Sequence, residues 1–169
     1  DYVALPDGGL SLFTRGYSEN MAHSVLLAVD QPAASAGQIY NCGDDRQFSL
    51  AQWVMRIAEA MGHPMEIVSV PDAYASPSRD LMQFSGPSLH QLLDTHKIRV
   101  ELGYRDKVDA LTGVQQTIDW LRANPPQEAD FIESIRKHYA VEDELARIYK
   151  SATEQMAVLP HIQEEVHHA

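Results

Sequence analysis

The chain has 169 residues, enough for one domain or for one compact domain with an extension. Its 44% hydrophobic residues can build a core, and its 22% charged residues argue against a disordered composition. Because 24 acidic residues face 13 basic ones, for a formal charge of -11, we expect neither a nucleic acid nor a membrane as the main partner. The single cysteine, Cys42, and the lack of a spanning apolar run or a secretion leader lead us to expect a cytoplasmic protein.

The first 43 residues predict two strands, a helix and a third strand. Residues 1–17 (DYVALPDGGLSLFTRGY) indicate an extended segment, a Pro-Asp-Gly-Gly turn and a second strand. Ser18 is the expected cap of a helix that ends near Gln31, and residues 37–43 (GQIYNCG) are expected to form a strand. Because the chain opens at Asp1 on what resembles the interior of a fold, we expect further residues upstream in the native protein.

Residues 49–126 supply the clearest local signals. Ser49 with Gln52 forms a capping-box pattern before an amphipathic helix that Gly62 ends. Residues 65–70 (MEIVSV) indicate a strand, and residues 71–88 form a long loop rich in proline and serine, a length typical of functional loops. Two more helices follow, the first closed by Gly103 and the second capped by Asp109 and stopped by Pro125-Pro126.

The composition changes after residue 126, where strands are no longer predicted. We expect a helix over residues 129–139 and a second helix after it, with Pro160 as its end. The second helix carries an apolar stripe, which we expect to pack against the chain's own domain, although assembly of several chains stays open. The stripe consists of Val141, Leu145, Ile148, Ala152, Met156 and Leu159.

The alternation of strands and helices predicts an α/β fold, or α+β as an isolated piece, with a small mixed sheet and packed helices. We divide the chain into residues 1–126 and a helical extension over residues 127–169. Neither a G-x-G-x-x-G nor a Walker A loop occurs, so no cofactor-binding residue can be assigned. A Y-x-x-x-K pair and a G-x-S-x-G elbow are also absent, and we assign no catalytic residue.

Candidate sites elsewhere are few. His161, His167 and His168 lie with acidic residues near the C-terminus, but we expect a solvated tail there and no metal site. Cys42 is expected to be a small packed residue, and the acids Asp44 and Asp45 are expected to be solvated in a turn. Four aromatic residues could wall a pocket or simply pack in the core: Tyr17, Tyr40, Phe84 and Tyr104.

Two arginines occupy positions that suit an anionic ligand, since a guanidinium binds phosphate or carboxylate through two hydrogen bonds. Arg15 lies where a predicted strand leads into a helix, and Arg79 lies in the long loop. A surface arginine paired with a nearby acid is the alternative for each.

Several motifs in this order resemble the C-terminal half of the NAD(P)-dependent epimerase/dehydratases, which are extended short-chain dehydrogenases/reductases. The resemblance covers roughly residues 5–124. It rests on the segment TRGYSENMAH, on the G-x-x-Y-N-x-G pattern at 37–43, on Ser49, on Asp94 and Lys97, on Leu102-Gly103-Tyr104, and on the helix VQQTIDWL with Trp120. Asn20 stands where the family usually has aspartate, and Arg79 is placed like a family arginine that binds the substrate diphosphate.

The resemblance implies that the chain is the substrate-binding segment of an oxidoreductase acting on a nucleotide sugar or another carbonyl or hydroxyl compound. It implies substrate contacts from Arg15, Tyr17, Asn20 and Arg79, and a partner in the N-terminal Rossmann portion of the same protein. NAD or NADP would bind that portion, so we expect no tight cofactor binding and no turnover by this chain alone. The alternative is a stand-alone binding or assembly module that uses its C-terminal helices, and a homo-oligomer stays open in both cases.

Overall fold

The computed structural model describes residues 1–75, 89–125 and 129–160. Its strands are β1 (Tyr2–Pro6), β2 (Leu12–Phe13), β3 (Phe48–Ser49) and β4 (Glu66–Val70). Its α-helices are α1 (Ser18–Asp30), α2 (Pro32–Ser35), α3 (Leu50–Met61), α4 (His96–Glu101), α5 (Ala110–Ala123) and α6 (Ala129–Ala157). Short 3₁₀ helices cover Asp7–Gly9 and Asp72–Tyr74, and the elements divide into two compact units.

The first unit is built from β1, β4 and α6. β1 and β4 pair in parallel, from Tyr2 opposite Glu66 to Pro6 opposite Val70. Ala146 of α6 is completely buried against this pair, where it packs with Ala4 and with β4 side chains. Alanines at the contact let the helix approach the strands closely. A two-stranded parallel sheet is marginal alone, so α6 supplies the cover that it needs.

A buried carboxylate of α6 accepts a hydrogen bond from a backbone N–H group of β1. The Ala4 N–H donates to Glu142 Oε1 over 2.7 Å, and Glu142 is only 5% exposed. Burial raises the pKa of the Glu142 carboxyl, and the hydrogen bond from Ala4 partly opposes this rise. The helix is also linked to β4 through Lys150 Nζ, which lies 2.6 Å from Glu66 Oε2. α6 is therefore an integral part of the first unit.

The second unit contains β2, β3 and helices α1 to α5. β2 and β3 pair antiparallel, with Leu12 opposite Ser49 and Phe13 opposite Phe48. One cluster joins β3 and α3 to α5 through Phe48, Trp53 and Ala110. A second cluster centres on Ile98, Leu102 and Tyr104, and it receives Met21, Leu27, Ala28, Tyr40 and Cys42 from the α1 side and the 37–43 segment.

Most local predictions are confirmed. The Ser49–Gln52 capping box is present, and α3 ends at Gly62, whose φ of 68° suits glycine. The Asp109 side chain caps α5, and Gly103 follows α4 with a φ of 69°. The α/β class with a small sheet is also confirmed. The predicted division at residue 126 stays a prediction. α6, which follows that residue, packs in the same unit as β1.

Three local predictions are wrong. The described 37–43 segment forms no strand, and its side chains Tyr40 and Cys42 instead pack on the Ile98 cluster. The predicted break near Tyr139 does not occur, because neither glycine nor proline stands there and α6 continues without interruption. The cap position of α1 is Tyr17, one residue before Ser18, and its own side chain makes no cap hydrogen bond.

The buried face of α6 also differs from the predicted stripe. Glu142, Ala146 and Tyr149 face the sheet, whereas Val141 and Ile148 are about half exposed, at 53% and 48%. The helix is thus rotated by about one residue, or about 100°, from the orientation that we expected. Among the described helices, none combines the length and apolar character that crossing a membrane requires.

Candidate functional site

The predicted site residues Arg15, Tyr17 and Asn20 lie on the segment that joins β2 to α1. Arg15 is exposed, with its guanidinium carbon 5.4 Å from the centre of the Trp53 ring. Tyr17 is half-buried, and its hydroxyl donates to Gln116 Oε1 of α5 over 2.7 Å. The structure thus brings a cation and a phenol to one short stretch of surface.

Asn20 is completely buried, and its amide is fully hydrogen-bonded within the chain. Its Nδ2 donates to Asp44 Oδ1 over 2.9 Å and to the Val108 carbonyl over 2.8 Å. Its Oδ1 accepts the N–H groups of Lys107 and Val108 at 2.9 and 3.0 Å. These four bonds use both donors and both acceptor positions of the amide. They connect the start of α1 to the segment before α5.

Asp44 is the partner that the sequence did not reveal. Its carboxylate accepts the Tyr17 N–H through both oxygens, at 3.1 and 3.0 Å, and it is 3% exposed. The expectation of a solvated turn carboxylate is therefore wrong for Asp44. An acid at this point satisfies the free N–H at the start of α1 and interacts favourably with the helix dipole.

A second contact holds the same segment. The Asp44 N–H donates to the Arg15 carbonyl over 2.8 Å. A Cβ on the preceding Gly43 would lie 2.3 Å from Thr14 Cγ2 and 3.1 Å from the Arg15 carbonyl oxygen, so only glycine fits this approach. We call Tyr17, Asn20, Gly43 and Asp44 the anchoring network. It holds the backbone that follows Arg15, and the Thr14 N–H, which donates to the Gln91 carbonyl over 2.9 Å, holds the backbone before it.

The tyrosine ring is held by α5 as well as by its hydroxyl. A Cβ built on Gly113 would lie 3.0 Å from two ring atoms of Tyr17, so the absence of a side chain there lets α5 contact the ring face. Tyr104, in contrast, is wholly buried, and burial raises its pKa. Tyr104 is a core residue and not a pocket wall. Tyr40 is half-buried, and its hydroxyl donates to Glu101 Oε2 over 2.8 Å.

Other predicted positions fall outside the described residues. Arg79 and Phe84 belong to residues 76–88, and His161, His167 and His168 belong to residues 161–169. In the described part of the chain, no three histidine, cysteine or acidic side chains are grouped as metal ligands. Cys42 is half-buried and packs in the Ile98 cluster, as expected for a small packed residue.

That this chain alone does not bind a nicotinamide dinucleotide tightly stays a prediction. Such a cofactor places its pyrophosphate against free N–H groups at a helix N-terminus. Here Asp44 accepts the Tyr17 N–H just before α1, Ser49 with Gln52 caps α3, and Asp109 caps α5. The chain's own side chains thus occupy the three longest helix starts described in the second unit.

Comparisons with known proteins identify what this fold resembles. No protein-family model matches the chain. A dTDP-glucose 4,6-dehydratase from Actinoplanes sp. is 31% identical over 102 residues, which is 60% of this chain and 29% of that protein. UDP-glucose 4-epimerase from Thermotoga maritima, solved with UDP-glucose, has a TM-score of 0.55 at 20% identity, covering 75% of this chain and 36% of its own. dTDP-glucose 4,6-dehydratase from Bacillus anthracis, solved with NAD, has a TM-score of 0.53 at 16% identity, covering 72% and 34%.

The chain spans only about a third of the length of these relatives. Its predicted resemblance is confirmed, because its structural neighbours are NAD-dependent epimerases and dehydratases. The chain has the fold of the C-terminal part of extended short-chain dehydrogenases/reductases.

Proposed function

We propose that this chain is the substrate-binding segment of an NAD(P)-dependent oxidoreductase of the epimerase/dehydratase type. The observation that carries the proposal is Arg15, an exposed cation whose backbone is held on both sides by hydrogen bonds. A preorganised guanidinium loses little freedom when it binds a phosphate or carboxylate, so more of the interaction energy appears as affinity.

Within this proposal the predicted residues take different roles. Arg15 contacts the anionic part of the substrate, and the half-buried Tyr17 ring borders it. Asn20 acts as a positioning residue, because its amide makes four internal hydrogen bonds and the side chain is completely buried. Arg79 is retained as a third substrate contact on the basis of the sequence alone.

The substrate class that we propose is a nucleotide sugar. The support is the similarity to a dTDP-glucose 4,6-dehydratase and to a UDP-glucose 4-epimerase solved with UDP-glucose. The diphosphate of such a molecule is the anion that an unpaired arginine suits. The reaction itself requires a hydride acceptor and an acid/base group, both of which we expect outside this chain.

We further propose that NAD or NADP binds a Rossmann portion outside this chain, in the same cytoplasmic protein. When bound there, the nicotinamide would accept and return hydride. Exposed apolar side chains of α1 and of the 37–43 segment offer a surface for that portion; Val25, Leu26, Val29 and Ile39 are each at least 59% exposed. Val25, Leu26 and Val29 lie within about one turn of α1, and exposed apolar side chains so placed are typical of a protein contact.

The test is calorimetric titration of the chain with UDP-glucose and dTDP-glucose. We expect saturable binding that Arg15→Gln weakens about tenfold or more, since hydrogen bonds to a charged group contribute about 1.5–3 kcal/mol. The matched control is Arg122→Gln, which removes an exposed arginine of α5 that already pairs with Asp119. Equal affinity of both variants would refute the role of Arg15, and no binding of either nucleotide sugar would refute the substrate class.

A second candidate function is assembly through α6. Val141, Ile148 and Met156 lie along one side of the helix and are each about half exposed. Charged substitutions at these positions, such as Ile148→Glu, leave the buried Glu142–Ala146 face intact. If this face joins two chains, the mass that light scattering measures for Ile148→Glu falls from that of two chains to that of one. An unchanged mass counts against assembly through α6.

A further inference from the structure

Three arginines surround one pair of aromatic rings in the second unit. Phe48 and Trp53 meet edge to face, with ring centres 5.1 Å apart. The guanidinium carbons of Arg46 and Arg56 lie 5.3 and 4.3 Å from the centre of the Phe48 ring, and that of Arg15 lies over Trp53. A chain with a formal charge of -11 thus collects several of its few cations at one place.

These arginines differ in their partners from three arginines that form ion pairs. Arg99, Arg122 and Arg147 each have a carboxylate oxygen within 3.9 Å. Among the residues that the structure describes, no carboxylate pairs with Arg46 or Arg56. Aromatic ring faces attract a cation, but they do not neutralise it. Two guanidiniums over the same ring therefore leave a local excess of positive charge.

Unused hydrogen-bond donors accompany this charge. Arg56 Nε and Trp53 Nε1 are both shielded from solvent, and within the described part of the chain neither donates to an acceptor. Trp53 as a whole is only 8% exposed. A buried donor without an acceptor costs free energy, so the Arg56 side chain gains hydrogen-bond energy if it turns its Nε towards a ligand that supplies an acceptor.

An open cavity of about 330 Å³, a surface depression and not an enclosed pocket, adjoins the same arginine. It lies along the outer side of α3, and its lining is Ala51, Gln52, Met55, Arg56 and Glu59. This volume is within the range of small-molecule sites. The Glu59 carboxylate repels an anion, so an anionic group would bind at the Arg56 end of the cavity, beside Arg46 and Phe48.

We propose that Arg46 and Arg56 form a second oxyanion site, specific for the phosphoryl group of a small molecule. The two planar guanidiniums supply forked donors that match phosphate oxygens, and stacking on Phe48 limits their freedom before binding. The site goes beyond the proposed substrate contact at Arg15, because it uses different residues and a cavity on α3.

The experiment is a titration of the whole chain with inorganic pyrophosphate, followed by calorimetry at ionic strength matched with sodium chloride. We expect saturable binding of pyrophosphate. Arg46→Gln and Arg56→Gln should each weaken the affinity about tenfold, whereas Arg122→Gln should change it by less than about twofold. Arg56→Lys keeps the charge and most of the stem but not the fork, so we expect it to weaken binding as well. Circular dichroism of each variant checks that it folds. If the Arg56 variants do not fold, the variant of the exposed Arg46 still tests the proposal.

Two results would overturn the proposal. The first is pyrophosphate binding that stays within about twofold in Arg46→Gln, or the absence of saturable binding above the matched salt. The second is binding that Arg15→Gln abolishes while Arg46→Gln and Arg56→Gln retain it. That second result would place the anion at Arg15 and would favour the proposed function over this inference. If the Arg46 and Arg56 variants lose pyrophosphate binding and Arg15→Gln retains it, the second site is supported. That result holds whether or not Arg15 contacts a nucleotide sugar.

Discussion

Replacing the buried Asn20 by aspartate, the residue that the resembling family usually carries there, tests the anchoring network directly. Asn20→Asp keeps the side-chain size but removes both N–H donors. The Asp44 oxygen, 2.9 Å from the former Nδ2, then faces a second carboxylate, and the Val108 carbonyl loses its side-chain donor. We expect this change to destabilise the second unit strongly.

The magnitude follows from two contributions. Each acceptor left without a donor costs about 1–3 kcal/mol when it is buried. Two carboxylates about 3 Å apart repel by about 6 kcal/mol at an effective dielectric constant of about 20, so one of them retains a proton instead of paying all of this energy. We therefore expect a loss of about 4 kcal/mol or more at pH 7. Such a loss is a large part of the roughly 5–15 kcal/mol that stabilises a typical domain.

The pH dependence gives the sign of the effect. In Asn20→Asp, repulsion raises the pKa of one carboxyl in the folded state above its unfolded value. Stability from that carboxyl is then fully present below the unfolded pKa and is lost as the pH rises through the folded pKa. The deficit of the variant should therefore shrink as the pH falls from 7 towards 4.

The assay is urea denaturation followed by circular dichroism at several pH values. Asn41→Asp is the matched control, because Asn41 is exposed and its amide donates only one long, exposed hydrogen bond, 3.3 Å to the Asp94 carbonyl. Its cost should stay within about 1 kcal/mol. Combining Asn20→Asp with Asp44→Asn restores one donor between the two side chains, so we expect recovery of a large part of the loss. A stability of Asn20→Asp within about 0.5 kcal/mol of the parent chain, or no coupling in the double variant, would refute the reasoning.

Two further predictions concern single contacts. Burial raises the pKa of Glu142, so its contribution to stability is present at low pH and is lost as the pH rises through the raised value. The stability of Glu142→Gln relative to the unsubstituted chain should thus increase between pH 4 and pH 7 in urea titrations, and a difference that is constant with pH would contradict this. Gly113→Ala should lower the free energy of unfolding by about 1–3 kcal/mol, because the new Cβ meets the Tyr17 ring. In a Tyr17→Ala background the same substitution should instead stabilise α5 by about 1 kcal/mol, and a loss of equal size in both backgrounds would rule out the ring contact as the cause.

Local signals predict the ends of the helices well, because the residues that cap a helix lie within a few positions of each other in the sequence. Ser49 and Gln52 satisfy each other's backbone N–H groups across one turn, and the Asp109 side chain accepts the N–H groups of Leu111 and Thr112. Such patterns are complete in the sequence itself. They required no knowledge of which elements meet.

The misses have long-range causes. Asp44 lies 24 residues from Asn20, and nothing near it in the sequence reveals that it caps α1. The prediction for α6 rests on its apolar residues. The side that contacts the sheet instead carries the small Ala146 and the carboxylate of Glu142, which accepts a hydrogen bond from the Ala4 N–H. The partner decides which side of the helix is buried, and the partner is far away in the chain.

The contact between β1 and α6 has a consequence for the order in which the chain folds. Ala4 meets its acceptor Glu142 across 138 residues, and its strand partner Val68 is also distant in sequence. Contacts of such separation form slowly, because a long loop must close before they give any stability. During synthesis β1 therefore waits with an unpaired edge until α6 leaves the ribosome, whereas the caps of α3 and α5 form as soon as those helices emerge. β1 is therefore among the last elements of the first unit to gain its native environment.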